Sequence, residues 1–111
     1  MRKTFGAKLS RERAQRIALL RALACALVQR EKMETTTTKA KEVSRLVERL
    51  ITKAKNKDHK TLNSFLGARL AKKLVDVIAP KFKDRKGGYT RISKLGVARS
   101  TGAPMAIVEF V

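Results

Sequence analysis

An excess of basic side chains constrains this chain more than any other feature of its sequence. Its 111 residues include 27 Lys and Arg against 9 Asp and Glu, which gives a formal net charge of +18. Mutual repulsion among so many like charges opposes a compact state, and a chain of this length buries only one modest core. We therefore predict a single domain whose charge is balanced by a polyanionic partner.

The basic residues are spread along the whole chain. Residues 1–55 contain 15 basic and 5 acidic side chains, and residues 56–111 contain 12 and 4. A membrane-binding protein would instead concentrate its charge beside a large apolar face. The distribution favours a protein that contacts nucleic acid on several sides.

Residue types that support catalysis or metal binding are scarce. Cys25 and His59 are the only cysteine and the only histidine, which excludes an internal disulfide and a Cys/His zinc site. Gly87 and Gly88 form neither a Walker loop nor a dinucleotide-binding motif, and we interpret His59 as an exposed loop residue. No apolar run approaches the roughly 18 residues that span a bilayer. We expect no enzymatic activity, cofactor, metal, small-molecule substrate or membrane contact.

Residues 1–30 are rich in arginine. Arg11, Arg13, Arg16 and Arg21 interrupt any apolar segment of a secretory signal. A mitochondrial leader is an alternative, because the segment is partly amphipathic, but no break in composition separates it from the rest of the chain. We therefore expect a cytoplasmic protein, with an organellar one as the alternative.

Apolar periodicity and turn-forming residues predict three or four helices and three short strands. Helices are expected at 11–31, 38–55 and 61–79, and strands at 33–37, 89–95 and 105–111. Thr37 or Thr38 is expected to cap the second helix. The third is either one helix or two that break near Gly67, and Pro80 is expected to stop it.

The first helix and the residues before it are predicted to differ in structure. Residues 1–9 are basic and are expected to form an extended arm, followed by Ser10 as a helix N-cap. Residues 10–111 would then form a single globular nucleic-acid-binding domain. Beyond Ala14 the helix is apolar almost all round. We expect its C-terminal half to be buried, either within the chain or against a partner, and its charged N-terminal half to project from the body.

The helix predicted at 38–55 has the clearest pattern in the chain. An apolar stripe runs along one face, and a row of basic residues spaced by four lies on another. The basic row consists of Lys41, Arg45, Arg49 and Lys53. Like charges at this spacing destabilise an isolated helix by roughly 0.2–0.5 kcal/mol per pair, and a phosphate backbone alongside would reverse that sign. The alternative is a solvated face relieved by Glu42 and Glu48.

A basic loop with two adjacent glycines precedes the second predicted strand. Glycine lets the backbone approach phosphates closely, and Arg85 and Arg91 can fork to phosphate oxygens. Tyr89 either stacks on a base or covers a sugar, or it packs in the core with its hydroxyl bonded. The aromatic fraction of the chain is only 5%, which argues against a stacking platform and favours recognition of RNA backbone and shape.

The candidate nucleic-acid-binding residues fall into four groups along the chain. The arm and the first helix contribute Arg2, Lys3, Lys8, Arg11, Arg13 and Arg16. The basic row contributes Lys41, Arg45 and Arg49. The glycine loop and the strand after it contribute Arg85, Lys86, Gly87, Gly88, Tyr89, Thr90 and Arg91. The end of the second predicted strand and the loop after it contribute Lys94 and Arg99.

The C-terminal third of the chain carries motifs of a known family. They are Gly-Gly-Tyr-Thr-Arg-Ile (87–92), Ala-Pro-Met-Ala (103–106) and Val-Glu-Phe-Val (108–111), with Lys94, Gly96 and Arg99 between them. Collinear matches upstream are Leu9, Arg11, Arg16, Glu31, Thr35, Thr36, 39–42 and 50–52. In order, spacing and length, the sequence resembles the bacterial family of ribosomal large-subunit protein seventeen.

The resemblance implies an α/β (α+β) fold in two layers, with three or four helices on a small mixed sheet of about three strands. It also implies binding of large-subunit rRNA near the solvent-side polypeptide exit region, beside neighbouring large-subunit proteins. The arm and the Gly-Gly-Tyr-Thr-Arg segment are expected to carry much of that contact. The sequence departs from the family at 13–16, where Ser-Ser-His-Arg is usual, and at 100–101, where Gly-Asp is usual.

Two other functions share the high basic charge. A nucleoid-type protein would bind duplex DNA as well as RNA and would not migrate with ribosomes. A small basic enzyme acting on RNA would need an acid/base pair, and Asp76 and Glu109 fall in different predicted elements. We therefore expect a structural role in the large ribosomal subunit.

Overall fold

The computed structural model describes residues 2–98, 100 and 102–111, with side chains from Glu12 onward. Within these residues, four α-helices pack with a three-stranded sheet, which confirms the predicted α+β class. The helices are α1 (Arg2–Arg30), α2 (Thr37–Lys55), α3 (His59–Leu66) and α4 (Ala68–Lys73). The strands are β1 (Lys32–Thr36), β2 (Thr90–Val97) and β3 (Pro104–Phe110). A π-helical turn (Leu74–Ile78) and a 3-10 turn (Ala79–Phe82) come after α4, so regular α-helix ends before the expected stop at Pro80.

Helix α1 begins much earlier than predicted. It starts at Arg2, so the expected extended conformation is wrong for residues 2–9, and so is the expected N-cap at Ser10; Met1 lies outside the described residues. The segment contains no proline and one glycine, so it holds no residue that stops a helix propagating from the apolar region C-terminal to it. The division of the chain into an arm and a domain remains a prediction.

The two halves of α1 differ in burial as expected. Residues 12–19 are all exposed, whereas Ala24, Leu27 and Val28 near the other end are fully buried. The C-terminal half of the helix is therefore part of the core, and the described N-terminal turns extend beyond it.

Helix α2 lies at the centre of the fold. It contacts α1, α3 and all three strands, and its apolar stripe is buried as predicted. Val43, Val47 and Ile51 are fully buried, as is Val108 of the central strand, and all four belong to one hydrophobic core. Because the stripe faces the core, the basic row of the same helix faces outward.

The ends of two helices have local causes. Thr36 caps α2, one residue before the expected Thr37 or Thr38, and its hydroxyl accepts a hydrogen bond from the backbone N–H of Lys39 at 3.4 Å. Of the two alternatives for residues 61–79, the structure has the break near Gly67, between α3 and α4. Gly67 has a φ of +84°, a conformation that favours glycine.

The sheet is antiparallel throughout, in the order β1-β3-β2, which corrects the expected mixed sheet. β2 and β3 are joined by a short loop, and strands so joined pair antiparallel because a parallel pair needs a long crossover. The register of β2 shifts between Lys94 and Gly96, which leaves Leu95 as the extra residue of a bulge. Gly96 has a φ of +98°, as a glycine in a bulge often does. Through this bulge β2 continues past its predicted end.

Candidate nucleic-acid interface

Helix α2 carries its basic row on the side away from the core. The side chains of Lys41, Arg45 and Arg49 are all exposed. None of the three forms an ion pair with any residue that the structure describes. Their positive charge is therefore available to a partner outside the chain.

The two glutamates of α2 are engaged by residues outside the row. Glu42 accepts a hydrogen bond from the guanidinium of Arg16 in α1. Glu48 accepts one from the hydroxyl of Thr90 at 2.8 Å and one from the backbone N–H of the same residue at 3.4 Å. Within the described part of the chain, neither glutamate forms an ion pair with the basic row, so direct pairing does not relieve the charge of that row.

A groove of about 510 Å³ lies between α2 and the glycine loop, residues 83–88. Helix α2 contributes Arg45 and Arg49 to its lining, and the loop contributes Lys86 and Gly87. Glu48, Thr52 and Tyr89 complete the lining. The fold thus brings together two groups of candidate residues that are far apart in the sequence.

A second groove, of about 230 Å³, lies between α1 and α2. It is lined by Arg16, Leu20, Glu42, Arg45, Leu46 and Arg49. Arg45 and Arg49 belong to both grooves, so the two are continuous across the surface of α2. The cations that line the two grooves are Arg16, Arg45, Arg49 and Lys86. We call these four residues the basic band.

Tyr89 is a core residue. Only 3% of its surface is exposed, and its ring centroid lies 5.2 Å from that of Phe82. Its hydroxyl donates to the carbonyl oxygen of Arg85 at 3.1 Å and accepts from Nζ of Lys55 at 2.9 Å. Core packing with a bonded hydroxyl is therefore confirmed, and the alternative of stacking on a base is wrong because the ring is buried.

The glycine loop presents backbone and charge to solvent, since residues 83–88 are all exposed. Gly88 has a φ of +63°, which favours glycine. Nε of Arg85 donates to the carbonyl oxygen of Gly87 at 3.2 Å, so the loop folds back on itself. Exposed glycine backbone beside Lys86 lets a phosphate group approach both an ammonium and main-chain atoms.

The candidate residues of β2 line neither groove. Thr90 is half-buried with its hydroxyl donated to Glu48. Arg91 is exposed but pairs with Glu109 of β3, with Nη2 at 3.1 Å from Oε1. Lys94 is exposed farther along β2 and lines neither groove. These residues lie outside the basic band.

Several candidate residues fall outside the part of the chain whose side chains are described. They are Arg2, Lys3, Lys8 and Arg11, and the whole of Arg99. Of the N-terminal group, Arg13 and Arg16 are described and exposed. Arg16 joins the band through the groove between α1 and α2.

Lys55 and Glu48 organise this site, and the sequence did not single out either as a binding candidate. A lysine in the last turn of a helix and a glutamate within a basic row are both common on solvated faces. One signal pointed indirectly to Lys55. A buried tyrosine hydroxyl needs a hydrogen-bond partner, and in the structure Lys55 is one of the partners of Tyr89.

Other kinds of site find little support among the described residues. His59 is exposed, as expected, but it is the first residue of α3 and does not lie in the expected loop. Across the described ranges, no three His, Cys, Asp or Glu side chains are grouped so as to hold a metal ion. None of the described helices combines the length and apolarity needed to cross a membrane.

The chain matches a family of known proteins along most of its length. A family model described as Ribosomal protein L17 matches residues 19–111. The chain is 48% identical over 112 residues to large ribosomal subunit protein bL17 of Nautilia profundicola, with 94% of this chain and 92% of the relative covered. The proteins of the same name from Campylobacter jejuni subsp. jejuni (serotype O:23/36) and Natranaerobius thermophilus are 51% and 47% identical over 108 residues. These matches cover 94% of this chain and 92% and 96% of the two relatives.

Proposed function

The chain belongs to the ribosomal protein L17 family, and from this premise we propose that it is a structural constituent of the large ribosomal subunit that binds large-subunit rRNA through the basic band. It takes part in translation as a fixed part of the particle and catalyses no reaction. The proposed position is near the solvent-side polypeptide exit region of a cytoplasmic ribosome, beside neighbouring large-subunit proteins. The observation that carries the RNA-binding proposal is the meeting of Arg45 and Arg49 with Lys86 in one groove.

The charges of the band support binding to phosphates. Arg45 and Arg49 have no ion-pair partner among the described residues, and the whole chain carries a net charge of +18. Each phosphate that a cation neutralises releases condensed counterions, which makes binding favourable at low salt. Binding also removes the repulsion between like charges along α2. In the free protein nothing offsets this repulsion. Bound RNA is therefore expected to stabilise the folded protein.

The burial of the aromatic residues supports recognition of backbone and shape over bases. Tyr89 and Phe82 are buried, and Phe65 and Phe110 are half-buried. Among the described residues, none of these rings stands free to stack on several bases, as a sheet platform for single-stranded RNA requires. Guanidinium and ammonium groups beside exposed glycine backbone instead suit phosphate oxygens.

A pair of matched double variants tests the site. Arg45→Ala/Arg49→Ala removes two cations from the band, and Arg69→Ala/Lys72→Ala removes two exposed cations from α4. Affinity for a transcript of large-subunit rRNA is measured over a series of KCl concentrations. For the band variant we expect the slope of log affinity against log salt to fall by about 0.7–0.9 for each lost phosphate contact, with a much smaller change for the α4 variant. Equal changes in both variants would reject the band as the site.

A sucrose gradient tests the ribosomal role itself. Cell extract is separated in high-salt buffer containing magnesium, and each fraction is probed for the protein. We expect near-stoichiometric migration with the large subunit. Absence from that fraction, together with equal affinity for duplex DNA and rRNA, would support the nucleoid-type alternative.

A further inference from the structure

We propose that Lys55 is a positioning residue for RNA binding: it holds the glycine loop in the shape that presents Lys86 and Gly87 to phosphate, without contacting the RNA itself. This inference rests on the proposed function. Lys55 lies in the last turn of α2 and is half-buried. It does not line the groove between α2 and the loop.

The ammonium group of Lys55 contacts one acceptor in the loop and one in the residue directly after it. Its Nζ donates to the carbonyl oxygen of Arg85 and to the hydroxyl of Tyr89, the latter at 2.9 Å. It also lies 4.6 Å from the centroid of the Tyr89 ring, within the range of a cation–π contact. A lysine has three N–H donors, and two are used here. Unlike Arg45 and Arg49, this cation is therefore occupied inside the protein.

The two acceptors of Lys55 are also hydrogen-bonded to each other. The hydroxyl of Tyr89 donates to the same carbonyl oxygen of Arg85, at 3.1 Å. We call these three groups (the Lys55 ammonium, the Tyr89 hydroxyl and the Arg85 carbonyl) the Lys55 clamp. Because the Tyr89 ring is buried against Phe82, the clamp ties the loop to the core. The backbone at Arg85 cannot move without losing two hydrogen bonds.

The loop is also fixed at its far end. Thr90 comes directly after the clamped Tyr89, and its hydroxyl and backbone N–H both donate to Glu48. Lys86 and Gly87 therefore lie in a short span whose ends are both held by α2. A loop ordered before binding loses less conformational entropy when RNA binds, so the clamp raises affinity without adding a contact.

A positioning lysine and a contacting lysine differ in two measurable ways. Removal of a contacting lysine lowers the salt dependence of binding by about 0.7–0.9 and adds to the loss caused by removing other contacts. Removal of a positioning lysine acts only through the loop. Its effect therefore becomes smaller once groups that the loop presents to phosphate have been removed.

The experiment compares Lys55→Met and Tyr89→Phe in two chains, the natural one and one carrying Arg85→Ala/Lys86→Ala. Affinity for the large-subunit rRNA transcript is measured over a KCl series. In the natural chain we expect Lys55→Met to weaken binding roughly three- to tenfold and Tyr89→Phe roughly two- to fivefold. In the other chain, where Lys83 and the backbone of Gly87 remain in the loop, we expect each change to cause a clearly smaller further loss. Tyr89→Phe removes no charge, so its effect cannot be a lost phosphate contact.

Lys72→Met, which removes an exposed cation from α4, is the control and should change affinity less than about twofold. Hydrogen exchange of the free variants reports the clamp without RNA. We expect the amides of residues 85–90 to exchange faster in Lys55→Met and in Tyr89→Phe, while those of α2 stay protected.

Three outcomes would overturn the inference. Equal losses from Lys55→Met in both chains would make Lys55 a direct contact. Unchanged exchange of residues 85–90 in both variants would show that the clamp does not hold the loop. Undiminished binding by the chain with Arg85→Ala/Lys86→Ala would instead reject the loop as part of the proposed RNA site, and the exchange data would still decide whether Lys55 orders it.

Discussion

Glu48 of α2 accepts two hydrogen bonds from Thr90, one from its hydroxyl at 2.8 Å and one from its backbone N–H at 3.4 Å. The same hydroxyl lies 2.5 Å from Oγ of Ser44, one turn earlier in α2. Thr90 is the first residue of β2. The contact therefore joins the sheet to the middle of α2, directly after the glycine loop. Hydrogen bonds to an ionised carboxylate are stronger than those between neutral groups, so this junction contributes to stability and to the position of the loop.

We expect Thr90→Val to lower the free energy of unfolding by about 1–2 kcal/mol, because it removes the hydroxyl donor from a half-buried carboxylate. Thr90→Ser keeps the hydroxyl and should restore most of the loss. Urea unfolding of the three proteins without RNA measures the effect. Equal stability of the valine variant and the natural chain would show that the Glu48 junction contributes nothing to the fold.

The two glycines of the loop should respond differently to alanine. A Cβ on Gly87 would meet no heavy atom within 4 Å, and its φ lies outside the left-handed region. We expect Gly87→Ala to change stability by less than about 0.5 kcal/mol and to weaken RNA binding, since the methyl group stands where a phosphate would approach. Gly88 has a φ of +63°, so Gly88→Ala should destabilise the fold by about 1–2 kcal/mol. Urea unfolding and RNA titration of both variants check this, and an equal loss of stability in the two would contradict it.

The sequence predicted those parts of the fold that depend on local pattern. The stripe of Val43, Val47 and Ile51 was predicted because residues at helical spacing share one face, and the three strands were placed within about two residues for a similar reason. The start of α1 at Arg2 was missed because basic residues fit a helix as well as an arm. The short connection between β2 and β3 already implies antiparallel pairing, whereas the antiparallel pairing of β1 with β3 depends on packing between distant parts of the chain.

The candidate site was only partly predictable. Charge and spacing were enough to single out Arg45, Arg49 and Lys86, because clusters of basic residues with few acidic neighbours can be read from the sequence. Their meeting in one groove depends on how the loop packs against α2, which no local pattern encodes. The orientation of Tyr89 was an even choice from sequence, because a tyrosine suits both a core and a base. In the structure Tyr89 lies in the core. Its buried hydroxyl therefore needs a partner inside the protein, and Lys55 is one of these partners.

Asp58 should give stability a small dependence on acid pH. It is the N-cap of α3, and its Oδ1 accepts a hydrogen bond from the backbone N–H of Thr61 at 3.3 Å. Hydrogen bonding with Thr61, through its side chain and its backbone, lowers the pKa of Asp58 below its ordinary value. The ionised carboxylate therefore stabilises the fold above the unfolded pKa of about 3.9, and this contribution is lost as the pH falls through the folded pKa.

The variant Asp58→Asn tests that dependence, because asparagine is an equally good N-cap that does not titrate. We expect it to match the natural chain at neutral pH and to lose less stability below about pH 4. Urea unfolding at neutral and acid pH provides the comparison. Parallel losses in the two proteins would show that Asp58 does not contribute to acid sensitivity.

The basic row of α2 should lower the stability of the free protein and raise its affinity for RNA. Arg49 has basic residues four positions away on both sides, Arg45 and Lys53, and no carboxylate three or four positions away. Relief of two like-charge pairs at roughly 0.2–0.5 kcal/mol each should make Arg49→Gln more stable than the natural chain at low salt. High salt should remove that gain by screening. Thermal unfolding at both salt levels, beside rRNA titration, measures the two effects.

Arg45→Gln is the matched comparison, because it removes the same charge from the same groove. Glu42 and Glu48 lie three residues to either side of Arg45, so its loss also removes attraction and should stabilise the free protein less than Arg49→Gln. Arg45 and Arg49 both line the groove beside Lys86. The two substitutions should therefore weaken RNA binding to a similar degree. A row retained only as a solvated surface would give a different result: stability would change as described, and affinity for rRNA would stay the same in both variants.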